Sequence, residues 1–535
     1  MSIGSGGWVP QLSSTLQREL QNLESSQYIG SQLASAQSKI YQETISEAMP
    51  LVSQQAGIQT EVTNLNSLKS ALTSLQSAIQ TLGTQSTWQA VTATSSNTNA
   101  LTVTASSGAP QTSTTFDVTQ QAQNQISLLN VTATSATAAT QISSGTIVIN
   151  SPAALSNNNN QPISISVNAG DSLTTIAQDI NAVSPKTDVS ASIMQNGSTY
   201  QLMLTDSQTG TTAGAFSIDS SSTATVNGTT LALTQVQQAQ DASLTLAGNL
   251  TVTSSTNTFT NVLPNTTMNV VSTGTGTITI SPNPQKVMDA ANSFFDAYNK
   301  VESLVYNGGA AANTTLGSLI ATQLPALVSQ YDSSNPVGYQ SLSQIGIMTT
   351  PGSYSISSTS SAGQSNFSSQ GSPTIGFEDP TQWSGVPSGV SLPSGQTTFT
   401  NGVTNDPTDM QNLLGVSSTG LNLPSSSVLG QLNASIKVWL QDLNGTTVGN
   451  TTISGEISTL QSQIGSSTNG TPAGSIGAEL YQLNQNYTNQ IQSLLSQWTQ
   501  AQSAMVQANQ QLTQLQAIAQ QTQSTAYQTA TMLGG

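Results

Sequence analysis

The chain has 535 residues, no cysteine and no histidine, and 7 Lys and Arg against 23 Asp and Glu, which gives a net charge of −16. This composition excludes a Ser-His-Asp triad, a thiol nucleophile and a zinc site of the usual ligand types. It also excludes nucleic-acid binding, because no cluster of basic residues is present to meet a phosphate backbone. The length allows roughly three or four domains of about 150 residues each.

The first 57 residues predict a mobile N-terminal arm. A weakly amphipathic segment carries leucines at steps of three and four, and Pro50 and Gly57 are expected to interrupt any helix that follows. Residues 1–20 lack the basic start and apolar run of a cleaved secretory signal, and no apolar stretch approaches the ~20 residues that cross a bilayer. If the chain leaves the cell, we expect a route that cleaves no signal.

An apolar stripe follows the arm and predicts a leg helix over residues 58–86. The positions between its members are mostly Gln, Ser and Thr, which is the pattern of a helix with one buried face. The stripe consists of Ile58, Val62, Leu65, Leu68, Leu72, Leu75, Ile79 and Leu82. We expect Gly83 to end this helix.

The middle of the chain alternates apolar and polar residues, as half-exposed antiparallel strands require. The short alternating runs in residues 87–125 resemble those in residues 236–283. We therefore predict that these two segments form one sheet, the lower head domain. Residues 126–235 would be an α+β module inserted between them, the outer head domain.

The outer head domain is predicted to contain one helix among short strands. Residues 173–182 place their apolar side chains on one face, and Asp171 is the expected N-cap. Asn196 and Gly197 tolerate positive φ and predict a hairpin turn. The last strand of this domain is expected at residues 231–233.

Residues 284–474 return to helical periodicity and predict a helical leg domain. Helices are expected after Pro284, at residues 316–331 and at residues 428–443. The Ser-, Gly- and Pro-rich segment 351–406 is either a loop insertion or a small irregular subdomain.

The sequence carries neither a phosphate-binding loop nor a dinucleotide fingerprint, so carboxylates are the remaining candidates for chemistry. The adjacent pair Glu378 and Asp379 could help to bind Ca²⁺, but a solvated loop is the simpler interpretation. We therefore expect no metal site, no cofactor and no enzymatic activity.

A second apolar stripe predicts one coiled-coil helix over residues 475–535. No Pro or Gly interrupts the sequence between Gly477 and Gly534, so about 50 helical residues would span roughly 75 Å. The stripe consists of Leu480, Leu483, Tyr487, Ile491, Leu494, Trp498, Ala501, Met505, Ala508, Leu512 and Leu515. A helix of this length needs a partner, and the N-terminal stripe supplies one.

We therefore predict an α+β multidomain protein, with a helical coiled-coil stem formed by both termini and antiparallel β-rich head domains inserted between them. The alternative is that each stripe packs on an ordinary globular core, but the β-rich middle favours the stem. We also expect the stripes to act between subunits of a homo-oligomer. The predicted coiled-coil or oligomer interface consists of Ile58, Val62, Leu65, Leu68, Leu72, Leu75, Ile79, Leu480, Leu483, Tyr487, Ile491, Leu494, Trp498, Met505 and Leu512.

Several segments occur in an order that is typical of one family. They are GIQTEVTNLNSLKSALTSLQSAIQTL at residues 57–82, FDVTQQAQ at 116–123, LTTIAQDIN at 173–181, NSFFDAYNKV at 292–301 and SLSQIGIMT at 341–349. In these segments the chain resembles the flagellar filament-capping protein, also called hook-associated protein type two. It departs from the family in its terminal helices, which carry Gln and Asn where the family has Lys, Arg and Glu, and in the longer segment 351–406.

The resemblance implies a non-enzymatic structural cap at the distal tip of the bacterial flagellar filament. A ring of about five copies would promote the insertion and polymerisation of exported flagellin and prevent its loss. Other implied partners are the hook-filament junction protein and a cytoplasmic export chaperone that holds the C-terminal helix. Export through the flagellar type III pathway would need no cleaved signal, and neither nucleic-acid binding nor membrane insertion is expected.

Two other classes of protein are alternatives to the filament cap. Flagellin and the hook-filament junction protein are axial proteins that also pair their terminal helices, but the ordered internal segments argue against them. A surface adhesin on a β-rich stalk would be expected to carry a signal peptide or an anchor.

The charge inventory also predicts tolerance of acid. Without His and with only 7 Lys and Arg, the chain can form few of the ion pairs that acid breaks. Protonation of its carboxylates moves the net charge from 7 − 23 = −16 to about 7 − 0 = +7, which lowers self-repulsion. We therefore expect the fold and the assembly to persist near pH ~3.

Overall fold

The computed structural model describes residues 8–24, 30–306, 310–330, 338–350, 355–357, 366–368, 374–378, 394–448, 451–465 and 474–533. Within these residues, the buried apolar side chains form one large cluster in the helical leg and one in each head domain. A smaller cluster lies where the two terminal helices meet. The arrangement confirms the predicted α+β architecture, with helical termini and antiparallel sheets between them.

Three helices precede the sheets: α1 at Ser14–Glu24, α2 at Gly30–Leu82 and the short α3 at Gln85–Trp88. The predicted interruption at Pro50 and Gly57 is wrong, because α2 runs through both. An internal proline removes one backbone hydrogen bond and costs about 3 kcal/mol. Ala48 is buried in the core of the leg, and the half-buried Leu51 and Val52 pack against that core, so packing on both sides of the proline offsets the loss.

The head domains contain two helices and the strands β1 to β17. In chain order the elements are β1 at Val91–Ser95, β2 at Leu101–Ala105, β3 at Thr112–Gln120, β4 at Ile126–Ala133, β5 at Gly145–Asn150, α4 at Pro152–Asn157, β6 at Ile163–Val167, α5 at Leu173–Thr187, β7 at Val189–Asn196, β8 at Thr199–Asp206, β9 at Ser217–Ile218, β10 at Thr225–Val226, β11 at Thr229–Thr230, β12 at Leu233–Gln237, β13 at Ala242–Leu246, β14 at Leu250–Ser254, β15 at Thr258–Thr260, β16 at Thr266–Val270 and β17 at Gly274–Pro282.

The lower head domain joins strands from both sides of the insertion. Its larger sheet has the order β1-β17-β3-β13-β14, and its smaller sheet has the order β15-β16-β2. On β3, Phe116 lies opposite Leu246 of β13 and Gly276 of β17, and all pairings are antiparallel. The predicted union of the two segments in one domain is therefore confirmed.

The outer head domain contains the four-stranded sheet β12-β4-β8-β7 and the three-stranded sheet β6-β5-β9, with α5 packed against them. The hairpin between β7 and β8 turns at Gly197, which has φ +64°, as predicted. The predicted N-cap residue of α5 is wrong. The hydroxyl of Ser172 accepts the N–H of Thr175 at 3.1 Å, whereas Asp171 accepts the N–H of Asn168.

The last strand of the outer head domain also differs from its prediction. The expected strand at residues 231–233 is instead β12, which begins at Leu233 and pairs with β4. Leu231 is buried in the core of this domain without belonging to a strand.

The leg domain and the C-terminal helix complete the chain. Their elements are α6 at Pro284–Val305, α7 at Thr315–Val328, a 3-10 turn at Leu342–Ile345, β18 at Ile347–Thr350, β19 at Ser355–Ser357, β20 at Asn366–Ser368, β21 at Thr374–Phe377, α8 at Gly395–Asn405, α9 at Pro407–Leu414, α10 at Val428–Asn444, β22 at Gly445–Val448, β23 at Thr451–Ser454, α11 at Glu456–Ile464 and α12 at Ile476–Leu533. The predicted single C-terminal helix is confirmed, with 58 residues.

Strand β21 and helix α8 build part of segment 351–406 into the leg domain. Strand β21 pairs with β18, and Ile375 and Phe399 are fully buried in the core of the leg. Asn299 of α6 fixes β21 in place, because its side-chain amide exchanges hydrogen bonds of 2.8 and 3.0 Å with the backbone of Ile375. The rest of the segment lies outside the described residues.

Candidate assembly site

The N-terminal stripe lies in the core of the leg domain. Helix α2 contacts α6, α10, α11 and α12 of the same chain, and these helices cover the stripe. Seven of its predicted interface residues are at most 9% exposed: Ile58, Val62, Leu65, Leu68, Leu72, Leu75 and Ile79. The structure thus brings these side chains together within one chain, and their burial needs no second subunit.

The C-terminal stripe is covered over only its first part. Leu480, Tyr487 and Ile491 are buried, Leu483, Leu494 and Trp498 are half-buried, and Met505 and Leu512 are exposed. Leu495, which the sequence pattern missed, is buried at 6% exposure. A straight helix drifts about 20° per heptad from a 3.5-residue repeat, so after two heptads Leu495 faces the partner helix in place of Leu494.

The two termini meet in a small cluster of their own. Leu16 and Leu20 of α1 pack against Tyr487, Ile491 and Leu495 of α12. The ring of Tyr41 on α2 meets the ring of Tyr487 edge to face, with 6.3 Å between centroids. The N–H of Gln11 donates to the side chain of Asn484 at 2.6 Å. The predicted pairing of the terminal helices is therefore confirmed.

Beyond this cluster, α12 extends with an apolar stripe that is open to solvent. Every residue from 503 to 526 is exposed, and a helical segment of that length spans roughly 36 Å. The exposed apolar side chains include Met505 at 38%, Leu512 at 56%, Leu515 at 65% and Ile518 at 57%. Aligned apolar side chains on one helix face form a surface that favours contact with another protein. In the described part of the chain, none of the helices combines the length and apolarity that a bilayer crossing requires.

A carboxyl group lies in the core of the leg domain. Glu302 on α6 is fully buried, and neither of its carboxyl oxygens has a hydrogen bond of normal geometry. Burial raises the pKa of Glu302 to about 8, and the hydroxyl of Tyr298, one helical turn earlier, partly offsets this shift. Glu302 is therefore mainly uncharged at neutral pH.

A second buried carboxyl group lies where β8 leaves the outer head domain. The N–H of Gln208 donates to one carboxyl oxygen of Asp206 at 2.8 Å, and the other oxygen is buried without a hydrogen bond. Burial raises the pKa of Asp206 to about 6, against the effect of the Gln208 hydrogen bond and with a further contribution from Asp188.

The segment after Asp206 connects the two head domains. The N–H of Thr211 donates to the carboxylate of Asp241 at 2.7 Å, and the hydroxyl of Thr209 donates to the carbonyl of Ser255 at 2.6 Å. Both acceptors belong to the lower head domain. The segment therefore holds the outer head domain against the lower one.

The acidic pair at residues 378 and 379 is only half described, because Asp379 lies outside the described residues. The backbone of Glu378 joins β21 to the elements around it, with an N–H donated to Gly346 at 2.9 Å and a carbonyl that accepts from Gly395 at 2.8 Å. Burial raises the pKa of its carboxyl group. Among the described residues, no group of three or more Asp, Glu, His or Cys side chains gathers to hold a metal ion.

A long terminal helix with an open apolar stripe, paired at its base with the other end of the chain, defines a protein that assembles through helices. Residues 26–125 match the model of the flagellar hook-associated protein 2 N-terminus, and residues 239–364 match the model of its C-terminus. Residues 141–208, in the outer head domain, match the flagellin hook IN motif. The chain belongs to the flagellar hook-associated protein 2 family, whose members cap the flagellar filament.

Solved structures of flagellar cap proteins are similar to this chain. The D1-D2-D3 domains of FliD from Escherichia coli are 25% identical and match with a TM-score of 0.50, over 71% of this chain and 96% of that one. The D2-D3 domains from the same organism are 28% identical over 36% of this chain and 100% of that one, with a TM-score of 0.30. FliD from Pseudomonas aeruginosa PAO1 is 20% identical over 38% and 93% of the two chains, with a TM-score of 0.32. None of the curated proteins matches the chain.

Proposed function

We propose that this chain caps the distal tip of the flagellar filament as a ring of about five copies, which promotes the insertion of exported flagellin and prevents its loss. In this proposal the head domains form the plate of the ring and the terminal helices form its legs. Membership of the cap family supports the function, and the long stem at the end opposite the heads supports the division into plate and legs.

The observation that carries the proposal is the open stripe of α12. A monomer that exposes apolar residues over roughly 36 Å of helix has a contact left to make. We place that contact at the filament end, between the legs and the terminal helices of flagellin or of neighbouring copies. Before export, the same stripe is the site that a cytoplasmic chaperone would cover.

The remaining partners follow from the same placement. The hook-filament junction protein would hold the ring until the first flagellin subunits arrive, and the flagellar type III pathway would carry the chain to the tip. The role needs no catalysis, so we propose a structural, non-enzymatic cap that uses no cofactor and binds no nucleic acid.

The role of the open stripe of α12 in capping can be tested by complementation of a strain that lacks the cap gene. The triple variant Leu512→Gln, Leu515→Gln and Ile518→Gln keeps helix-compatible side chains and removes the apolar surface. We expect it to shed flagellin into the medium and to build no filament, whereas the wild-type chain restores filaments. The matched control is Gln510→Ala, Thr513→Ala and Ser524→Ala, which changes three exposed polar residues on the other side of α12. Filaments of normal length from the stripe variant would contradict the proposal.

The shape of the assembly separates the cap from its alternatives. Negative-stain microscopy of the purified protein should show a plate with legs. Filaments would instead favour flagellin, and dispersed monomers that bind carbohydrate would favour an adhesin.

A further inference from the structure

A groove separates the two longest helices of the stem close to the point where they begin to pair. It has a volume of about 560 Å³ and lies between α2, at Pro50 and Leu51, and α12, at Ala478 and Leu483. These four residues give it an apolar floor. The groove is distinct from the open stripe, because its residues on α12 lie between 478 and 486, before the exposed segment 503–526.

The polar rim of the groove carries two carboxylates and the side-chain amides of Gln482 and Asn486. Glu47 of α2 and Glu479 in the first turn of α12 both line it, and both are exposed to solvent. The ion pair formed by the described residues is Lys39 with Glu43, at 3.9 Å, so neither rim carboxylate is paired with a cation there.

Two carboxylates beside an apolar floor are complementary to a segment that carries an apolar side chain with a Lys or Arg within about one helical turn. A second copy of this chain fits poorly, since it carries 7 basic residues against 23 acidic ones and has a net charge of −16. We propose that this groove binds a basic amphipathic segment of flagellin while the subunit is placed in the filament. The proposal rests on the capping function and names a contact through which it is performed.

The contact can be captured by photo-crosslinking during flagellin polymerisation in vitro. Benzoylphenylalanine in place of Gln482, which also lines the groove, should form an adduct with flagellin from the same bacterium. The control position is Gln59, an exposed residue elsewhere on α2, and it should give no such adduct. Mass spectrometry of the adduct should locate a flagellin segment with Lys or Arg beside an apolar residue.

The charge on the rim provides the second measurement. The double variant Glu47→Gln and Glu479→Gln should lower the adduct yield roughly fivefold, as expected for the loss of two exposed ion pairs. The matched control Asp289→Asn and Asp442→Asn removes two charges from exposed positions on α6 and α10, away from the groove, and should leave the yield unchanged. Equal adduct yields from the two double variants would overturn the proposal that the groove binds flagellin.

The outcomes separate the groove from the capping function. A Gln482 photo-variant that supports filament growth could still crosslink to a second copy, to a segment without basic residues or to nothing. In each of these cases the groove proposal is wrong and the capping function is unaffected. If the unmodified chain supports no filament growth at all, the capping function fails and the groove proposal fails with it.

Discussion

Replacing the buried Glu302 by Gln should remove a pH dependence from the stability of the leg domain. Glu302 is fully buried on α6, and burial raises its pKa from 4.5 to about 8. In the unfolded chain its carboxyl group is exposed to water and titrates near the ordinary value. The folded state therefore binds more protons than the unfolded state between about pH 4.5 and pH 8.

The sign and size of the effect follow from this difference. When the folded-state pKa of a group lies above its unfolded-state pKa, the free energy of unfolding of the protein falls as the pH rises. The slope is about 1.4 kcal/mol for each pH unit and each proton. Between pH 5 and pH 7 the wild-type leg domain should therefore lose about 2 to 3 kcal/mol through Glu302 alone. The Glu302→Gln side chain has nearly the same shape and does not titrate, so this slope should disappear in the variant.

Urea unfolding at pH 5, 6 and 7 measures the effect. Tryptophan fluorescence reports on the leg, because residues 89–283 contain no Trp and both Trp8 and Trp439 are buried in the core of the leg. Circular dichroism follows the helices in parallel. The control is Glu43→Gln, which removes an exposed carboxylate from α2 and should retain the wild-type slope. If wild type and Glu302→Gln lose the same stability between pH 5 and pH 7, Glu302 is not the buried acid that the structure indicates.

Four further predictions follow from the domain boundaries and the charges. Deletion of residues 1–40 and 490–535 should leave the head domains folded but abolish capping; filaments in the complemented strain would show that the legs are dispensable. The fragment 126–235, expressed alone, should melt cooperatively, and a disordered circular dichroism spectrum would place its boundaries inside a core. Asp206→Asn should reduce the loss of stability of that fragment between about pH 4 and pH 7, because the pKa of Asp206 is raised to about 6. The whole assembly should keep its helix content and size down to about pH 3; dissociation between about pH 5 and pH 4 would mean that paired carboxylates hold it.

Regular local patterns are the part of this fold that the sequence predicts well. Alternation places Leu101 and Val103 of β2 in the core, and Asn-Gly fixes the hairpin at Gly197, because both depend on neighbours in the chain. The C-terminal helix is predicted because no proline or glycine interrupts its periodicity. The two-residue strand β9 carries too few residues for any pattern, and its pairing with the distant β5 defines it.

The errors arise where tertiary packing outweighs a local signal. Pro50 is a strong helix breaker, but α2 continues through it because Ala48 is buried in the leg and Leu51 and Val52 pack against the same core. The sequence also predicts the same role, contact between subunits, for the stripes of α2 and α12. The structure covers Leu65 and Leu72 entirely within the chain and leaves Met505 and Leu512 exposed, since the leg helices reach one stripe and not the end of the other.

The groove at Pro50 could not be predicted from the sequence. Its two sides, Leu51 and Ala478, are more than 400 residues apart, and only the pairing of α2 with α12 brings them together. The sequence does contain one relevant signal, which is a proline between Glu47 and Leu51 on an otherwise helical pattern. A proline inside a helix frees a carbonyl, but whether that carbonyl faces solvent or a neighbouring helix depends on the tertiary fold.

The response to acid depends on both composition and burial. Composition counts the charges and predicts few ion pairs; the pair that the described residues form, Lys39 with Glu43, is exposed and contributes little to stability. Composition cannot tell which carboxyl groups are buried. Glu302 and Asp206 both have raised pKa values, so the stability that depends on them is lost as the pH rises and is fully present in acid. The apolar seams of α2 and α12 do not titrate, and the buried carboxyl groups are least strained when protonated, so both features favour the folded state at low pH.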